Sequence, residues 1–499
     1  MSSERATVSF SSFKSFRSLV GSQRGIRREA VNRTQSYLSL VLAAGLLLDG
    51  GGCGRKLAKP EPVNVLLISI DSLRADHVGA YGYGRQTTPE IDRLSREGTV
   101  FANHVSTTSW TLPAHISLFT GQDISAHGVS TDGFRLHPAV PTLAELLKAA
   151  GYRTAAFCSS PYMNPAFGFD RGFDLYHNTD AERTDFVDTV LPNEKQRDRV
   201  HVDITSPRIT ELATAWLEKN AGKPFFLFLH FWDVHYDYIP PPPYDRLFNP
   251  DYAGDVDGRD YIRNNRVRKG MAPEDLEQII ALYDGEIAHT DRHVGMVIDK
   301  LKELGLYDRT LIVVTADHGD EFFEHGNKGH RLTLYEEVIR VPLIVRLPGG
   351  RREVETVKGP VGIIDIAPTI LDRLGVSSPP SFQGDSLLGL LEGKEPPVGR
   401  YYLAELSPAL YTLRGDGVKL LHNAVAGETI VFDLISDPAE THENGIVDGP
   451  LFERLKEEFE DRLRRNRELA ERIRGGQAGE EIRLQNRELE RLRTLGYLQ

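Results

Sequence analysis

The run Val63-Asn64-Val65-Leu66-Leu67-Ile68-Ser69-Ile70 is apolar, rich in branched side chains and closed by a carboxylate, Asp71. An apolar run without polar alternation suits a strand covered on both faces, as in a parallel sheet. Three later runs share this form. Phe225 to Leu229 ends at His230, Leu311 to Ala316 ends at Asp317-His318, and Val341 to Leu347 ends at Pro348. Helical segments lie between them at Pro89 to Glu97, Pro141 to Ala150, Pro207 to Asn220 and Pro273 to Leu304, each with Pro, Ser or Thr near its start. Strands alternating with helices predict an α/β fold whose mainly parallel sheet is sandwiched by helices and binds ligands at the carboxyl ends of its strands.

The stretch from Ser109 to Gly121 reads as a helix that begins beside a hydroxyl. Pro113 suits a first turn, Leu112, Ile116 and Phe119 recur at helical spacing, and Gly121 can close the helix in a left-handed conformation. Thr111 then lies at or near the N-cap, where free amides and the helix dipole favour an alkoxide and an incoming anion. A capping hydroxyl is the simpler reading of this stretch alone.

Carboxylate and imidazole groups end two of the strands. Asp71 opens Asp71-Ser72-Leu73-Arg74-Ala75-Asp76-His77, and Asp317 opens Asp317-His318-Gly319-Asp320-Glu321. Either Asp alone reads as a turn or cap residue, while the two together can hold a metal. His230 sits among aromatic residues and reads as a hydrogen-bonded core residue.

The 499 residues are 40% apolar and 26% charged, with a formal charge of -12. That suffices for a large core, and without a basic block beyond the first 35 residues it argues against nucleic acid as a partner. Arg24, Arg27, Arg28 and Arg33 precede an apolar run from Tyr37 to Leu48, followed by Gly50-Gly51-Gly52-Cys53. This suits an export signal with a bacterial lipoprotein processing site, and implies a periplasmic or cell-surface protein anchored through Cys53. With Cys53 lipidated only Cys158 remains, so no intramolecular disulfide is expected.

The pattern Thr111-x-Pro113-x-His115-x-x-Leu118-x-Thr120-Gly121 resembles the signature of the sulfatase family, within the alkaline phosphatase superfamily, whose usual form is Cys-x-Pro-x-Arg. The resemblance runs from about Val63 to Asp437. Thr111 stands where sulfatases carry the Cys or Ser that becomes formylglycine, and threonine cannot form that aldehyde. Other members of the superfamily use an unmodified Thr on phosphate esters. The resemblance implies that Asp71, Asp317 and His318 bind one divalent cation and that Thr111 completes the shell. Ser72 replaces a second acidic residue common in sulfatases. A mostly oxygen donor set points to Ca²⁺, Mg²⁺ or Mn²⁺, and one His keeps Zn²⁺ open.

The resemblance also implies a leaving-group acid at His235 and a cation facing the ester at His330 or Arg331, with His115 at the substrate-binding Arg position. The Lys-x-His pair usual after the strand near Ala155 is absent; Phe157 to Asn164 stands there, with Asn164 more suited to a turn before Pro165.

Four parts are expected: a signal or lipoprotein-like segment and linker at 1–60, a catalytic domain at 61–395, a small C-terminal antiparallel sheet at 396–450 and a charged helical tail at 451–499. In the tail, two exposed helices meet at Gly475-Gly476, with Leu492, Leu495 and Leu498 available to dock. The expected function is metal-dependent hydrolysis of small sulfate or phosphate esters, glycan or lipid linked, by Thr111, with the chemistry leaning to phosphate mono- or diesters. The alternatives are phospho-group transfer and a noncatalytic lipoprotein that binds anions or glycans.

Overall fold

The protein is described by a computed structural model at residues 63–179, 204–350, 354–397, 399–441, 445–475 and 480–481. The export segment, Cys53, Leu492, Leu495, Leu498 and a second tail helix lie outside the described residues. Among the described residues, no helix is long and apolar enough to cross a membrane.

The central sheet has eight strands: β1 Asn64–Ile70, β2 Thr99–Val105, β3 Arg153–Cys158, β4 Leu175–Asn178, β5 Phe225–Phe231, β6 Thr310–Ala316, β7 Leu343–Arg346 and β8 Thr356–Gly362. Their spatial order is β8-β2-β7-β6-β1-β5-β3-β4. All neighbours are parallel except β7, which runs antiparallel to both β2 and β6. The strand expected to end at His230 runs on to Phe231, with His230 paired in register to Ser69 of β1.

Every residue of β1 is buried, and its side chains alternate between two cores. Val65 and Leu67 pack with Leu112, Phe119, Leu143 and Ile370 on one face. Leu66, Ile68 and Ile70 pack with Ile91, Leu94, Ile209, Leu217 and Ile298 on the other. Helices therefore cover both faces, and each fully buried aliphatic side chain adds roughly 1.5–3 kcal/mol of burial energy.

The helices fall where the sequence pattern put them. Pro89–Ser95, Leu143–Ala149, Ser206–Asn220 and Pro273–Glu303 are helical, the second closed at its N-terminus by a capping box between Thr142 and Glu145. The longest braces the active end of the sheet. Its Tyr283 hydroxyl donates to Ser72 O at 2.7 Å and accepts from Arg74 N at 3.0 Å.

A separate antiparallel sheet follows, with β9 Tyr402–Leu406, β10 Leu410–Gly415, β11 Val418–Asn423 and β12 Glu428–Asp433 in sequential order. Tyr402, Ala404, Leu421 and Phe432 share the core of the large sheet, so the two sheets pack together. The tail helix Pro450–Arg474 is not merely exposed. Phe452, Leu455 and Phe459 pack on Leu403, Leu413, Leu420 and Val431. Arg462 Nε and Asn466 Nδ2 donate to Asp123 Oδ2 at 2.5 and 2.9 Å, tying the tail to the loop after Gly121.

Candidate active site

β6, β1 and β5 lie side by side and end together, so topology alone gathers Asp317-His318, Asp71 and His230 at one edge. The helix α1, Thr111–Thr120, delivers the fourth component to that edge. All ten of its residues are buried, and Gly121 ends it with φ 59 and a bond from its N–H to Ser117 O at 2.8 Å. Trp110 is the N-cap and Thr111 the first helical residue. The Thr111 hydroxyl is turned away from a capping role: it lies 3.3 Å from Asp71 Oδ2 and 3.3 Å from His318 Nε2.

The donor atoms around it are individually aimed. Asp317 Oδ1 accepts the amides of Ser72 at 3.2 Å and His318 at 2.9 Å, leaving Oδ2 buried with no hydrogen-bond partner. Ser72, where a second carboxylate was absent, donates its hydroxyl to Asp71 Oδ1 at 3.0 Å. It holds a left-handed backbone with φ 55, a local strain that points its amide at Asp317. His318 donates Nδ1–H to Gly319 O at 3.0 Å, which leaves the Nε2 lone pair 3.5 Å from both Asp71 Oδ1 and Asp317 Oδ2.

Two carboxyls here are buried close to one imidazole. Burial, only partly offset by His318, pushes the Asp71 carboxyl up to about 6. Burial and then the Asp71 charge push Asp317 up as well. Two desolvated carboxylates facing one imidazole lone pair, with an orphaned oxygen between them, fit a divalent ion. The donor atoms of Asp71, Asp317 and His318 all lie within 4.8 Å of one another.

Above this set stands a second row. His330 shares its Nδ1 proton with Asp320 Oδ1 at 2.6 Å, and the Tyr238 hydroxyl donates to Asp320 Oδ2 at 2.5 Å. Burial pushes Asp320 up to about 7 and His330 well down. The His330 ring lies 4.3 Å from that of His318 and 4.9 Å from that of His235. His235 is oriented by its Nδ1–H, which donates to Tyr236 O at 2.6 Å. The structure thus groups His235, His330 and His318, of which His318 touches the Thr111 hydroxyl.

Arg331 is held against two aromatic side chains. Its guanidinium lies 4.2 Å over the Trp110 ring and donates to the Tyr162 hydroxyl at 2.8 Å. Its amide bonds to Ser109 O at 3.1 Å, with φ 70 at Arg331 itself. Tyr162 comes from the segment that lacks the Lys-x-His pair, and Asn164 there caps a turn by accepting Ala166 N–H at 2.8 Å.

His115 is placed differently from the substrate contact expected of it. It is fully buried behind the nucleophile, with Nδ1 bonded to Thr111 O and Nε2 to Ser69 Oγ, both at 2.9 Å. Burial brings its pKa down to about 3. A shorter, neutral side chain in place of Arg locks the first turn of the helix instead of reaching forward. Tyr162, Trp110, Asp320 and His230 were not singled out as functional from the sequence. His230 lies in register with Ser69 on the neighbouring strand, a pairing that only the fold reveals.

Known proteins of the same architecture share this arrangement of elements. The Sulfatase family profile matches residues 63–376, and the profile for the N-sulphoglucosamine sulphohydrolase C-terminal region matches residues 323–469. A multifunctional alkaline phosphatase superfamily protein of Trinickia caryophylli is 28% identical over 464 residues, covering 76% of this chain and 90% of its own. An ulvan-active sulfatase of Formosa agariphila is 26% identical over 437 residues, covering 83% of this chain and 82% of its own. The fold superposes on a phosphonate monoester hydrolase from Silicibacter pomeroyi with a TM-score of 0.65 at 24% identity, over 82% of this chain and 96% of that one. With the Sulfatase profile spanning more than half of it, the chain belongs to the sulfatase family of metal-dependent sulfuric and phosphoric ester hydrolases, within the alkaline phosphatase superfamily.

Proposed function

We propose that this enzyme cleaves phosphate mono- or diesters in preference to sulfate esters, with Thr111 as an unmodified nucleophile. The observation that carries the reading is the Thr111 hydroxyl at the amino end of a buried helix, 3.3 Å from both Asp71 Oδ2 and His318 Nε2. A divalent cation held by Asp71, Asp317 and His318 supplies Lewis acidity that eases ionisation of that hydroxyl and neutralises charge on the ester.

The rest is done by the chain. Thr111 Oγ1 gives its proton to solvent water and attacks phosphorus, so that a new O–P bond forms and the ester O–P bond breaks. His235 gives a proton to the departing alkoxide, while Arg331 and the first-turn amides of the helix hold the non-bridging oxygens. Water then attacks the phospho-threonine, assisted by the His330–Asp320 pair, and restores Thr111. The leaning toward phosphorus rests on chemistry: Thr111 has no route to an aldehyde hydrate, and the positions matching sulfate-binding Lys, His and Arg are changed.

The multifunctional superfamily relative and the ulvan-active sulfatase support a small anionic ester, glycan-linked or not, as substrate. Export and lipid anchorage at Cys53 belong to the same proposal, supported by the basic and apolar segments before it. Loss of membrane association in Cys53→Ser tests them.

The function is tested by a panel of nitrophenyl sulfate, nitrophenyl phosphate, bis-nitrophenyl phosphate and a phenylphosphonate ester, each with Ca²⁺, Mg²⁺, Mn²⁺ and Zn²⁺. The phosphorus esters are expected to turn over fastest. A clear preference for the sulfate ester with Thr111 unmodified overturns the phosphate reading.

A further inference from the structure

His230 has an unspent donor atom in a fully buried position. It is 0% exposed, and its Nδ1–H donates to Ser159 O at 2.8 Å. A carbonyl can only accept, so this bond fixes the proton on Nδ1 and leaves a lone pair on Nε2. That Nε2 has no hydrogen-bond partner and lies 3.4 Å from Asp71 Oδ2. A lone pair facing a carboxylate oxygen in a buried site is repulsive unless something positive stands between them.

A second orphaned atom lies alongside. Asp317 Oδ2 is buried and unpartnered, and the donor atoms of His115, His230 and Asp317 lie within 4.8 Å of one another. Asp317 belongs both to that group and to the group with Asp71 and His318. His115 is not available, since its nitrogens serve Thr111 O and Ser69 Oγ. His230 is available, and its strand ends beside that of Asp71.

We infer that His230 is a further protein ligand to the ion held by Asp71, Asp317 and His318, so that the site presents two imidazoles. The inference rests on the metal-site reading above and deepens it. Two carboxylates and two imidazoles with a hydroxyl form a mixed nitrogen and oxygen set, which favours a borderline transition ion such as Zn²⁺ or Mn²⁺ over Ca²⁺ or Mg²⁺. The nitrogen that replaces the missing carboxylate at Ser72 comes from a different strand. The Ser159 carbonyl is the partner that fixes its tautomer, as in other metal-bound histidines.

The test uses the full chain, stripped and reloaded with Mn²⁺ or Co²⁺, and reads ligands directly. Pulsed EPR of the Mn²⁺ protein is expected to show nitrogen coupling from two imidazoles, falling to one in His230→Gln. Zn²⁺ affinity is expected to fall on the order of 10–100-fold or more in that variant. His230→Cys keeps the reading testable if the Gln variant folds poorly: with Co²⁺ it is expected to show thiolate charge-transfer absorption. One imidazole in the parent protein, unchanged by His230→Gln, overturns the inference and leaves the Asp71, Asp317 and His318 site standing. No bound metal in the parent protein overturns both. Loss of all metal in Asp317→Asn, beside partial loss in His230→Gln, supports both.

Discussion

His318 Nε2 faces the Thr111 hydroxyl oxygen across 3.3 Å, although the two residues are brought by different elements, a strand end and a helix start. In the proposed mechanism that separation couples metal binding to nucleophile activation, with one imidazole lone pair serving the ion beside the attacking hydroxyl.

Thr111→Ala is expected to lower kcat/KM on the order of 10³-fold or more, while metal content stays at the parent level. Thr111→Ser keeps the hydroxyl and is expected to stay within about tenfold of the parent. Steady-state kinetics with metal analysis on the same preparations checks both. Parent-rate turnover by the Ala variant would move the nucleophile elsewhere.

Asp71→Asn and Asp317→Asn each remove a charge from buried oxygens that are already crowded. Both variants are expected to fold and to lose activity together with bound metal, since a hard cation depends most on charged oxygen donors. Because burial raises both carboxyls, their protonation competes with the ion, so metal affinity is expected to weaken as pH falls toward about 6. Equal occupancy in parent and variants across that range would remove the metal assignment.

Arg331 gives a sharper test of substrate charge. Arg331→Lys and Arg331→Met keep the same strained backbone, so differences between them report the side chain. The Lys variant loses the planar stack on Trp110 and the fork toward Tyr162, and kcat/KM is expected to fall about tenfold. The Met variant is expected to fall about 100-fold, mostly at the transition state. Identical values for Lys, Met and parent would place the ester contact on another residue.

His325 offers a pH test away from the metal. It stacks on Tyr335 at 3.5 Å and bonds through Nδ1 to Glu337 Oε1 at 2.6 Å. Burial works to lower its pKa, but the Glu337 bond and charge outweigh it and the net shift is upward. A group raised in the folded state stabilises fully below its unfolded pKa of about 6.5 and loses that contribution as pH rises through the folded value. The Tm gap between the parent and Glu337→Gln is therefore expected to be widest between the carboxylate range and the His range, and to close at alkaline pH. A gap that grows with pH would contradict the pairing.

The strand ends and the helix start are legible in the sequence. Asp71 and Asp317-His318 stood out because an uninterrupted apolar run ends at each, and parallel sheets put such ends in one place. Thr111 stood out because Pro113 and Gly121 bracket a helix. Other features left no such trace. The strand Thr99–Val105 carries Asn103 and His104, which break the apolar pattern, and Leu410–Gly415 follows a Ser407-Pro408 turn too closely to look like a strand. The tail helix looked solvated because Arg462 and Asn466 are polar, yet both are consumed by Asp123. His230 among phenylalanines looks the same whether it serves a core or an ion, and only the unpartnered Nε2 separates the two. His115 looked like a substitute for a substrate-facing Arg, whereas its short reach turns it inward to Ser69.

In the proposed mechanism Thr111 carries the covalent intermediate. Quenching turnover of a slow phosphate ester in acid and sequencing the peptide that contains Thr111 by mass spectrometry measures it directly. A phosphoryl group on Thr111, absent from Thr111→Ala and removed on longer incubation with metal, is the expected result. Sustained turnover with Thr111 unmodified at every time point, or a phosphoryl group on another residue, would place the nucleophile elsewhere.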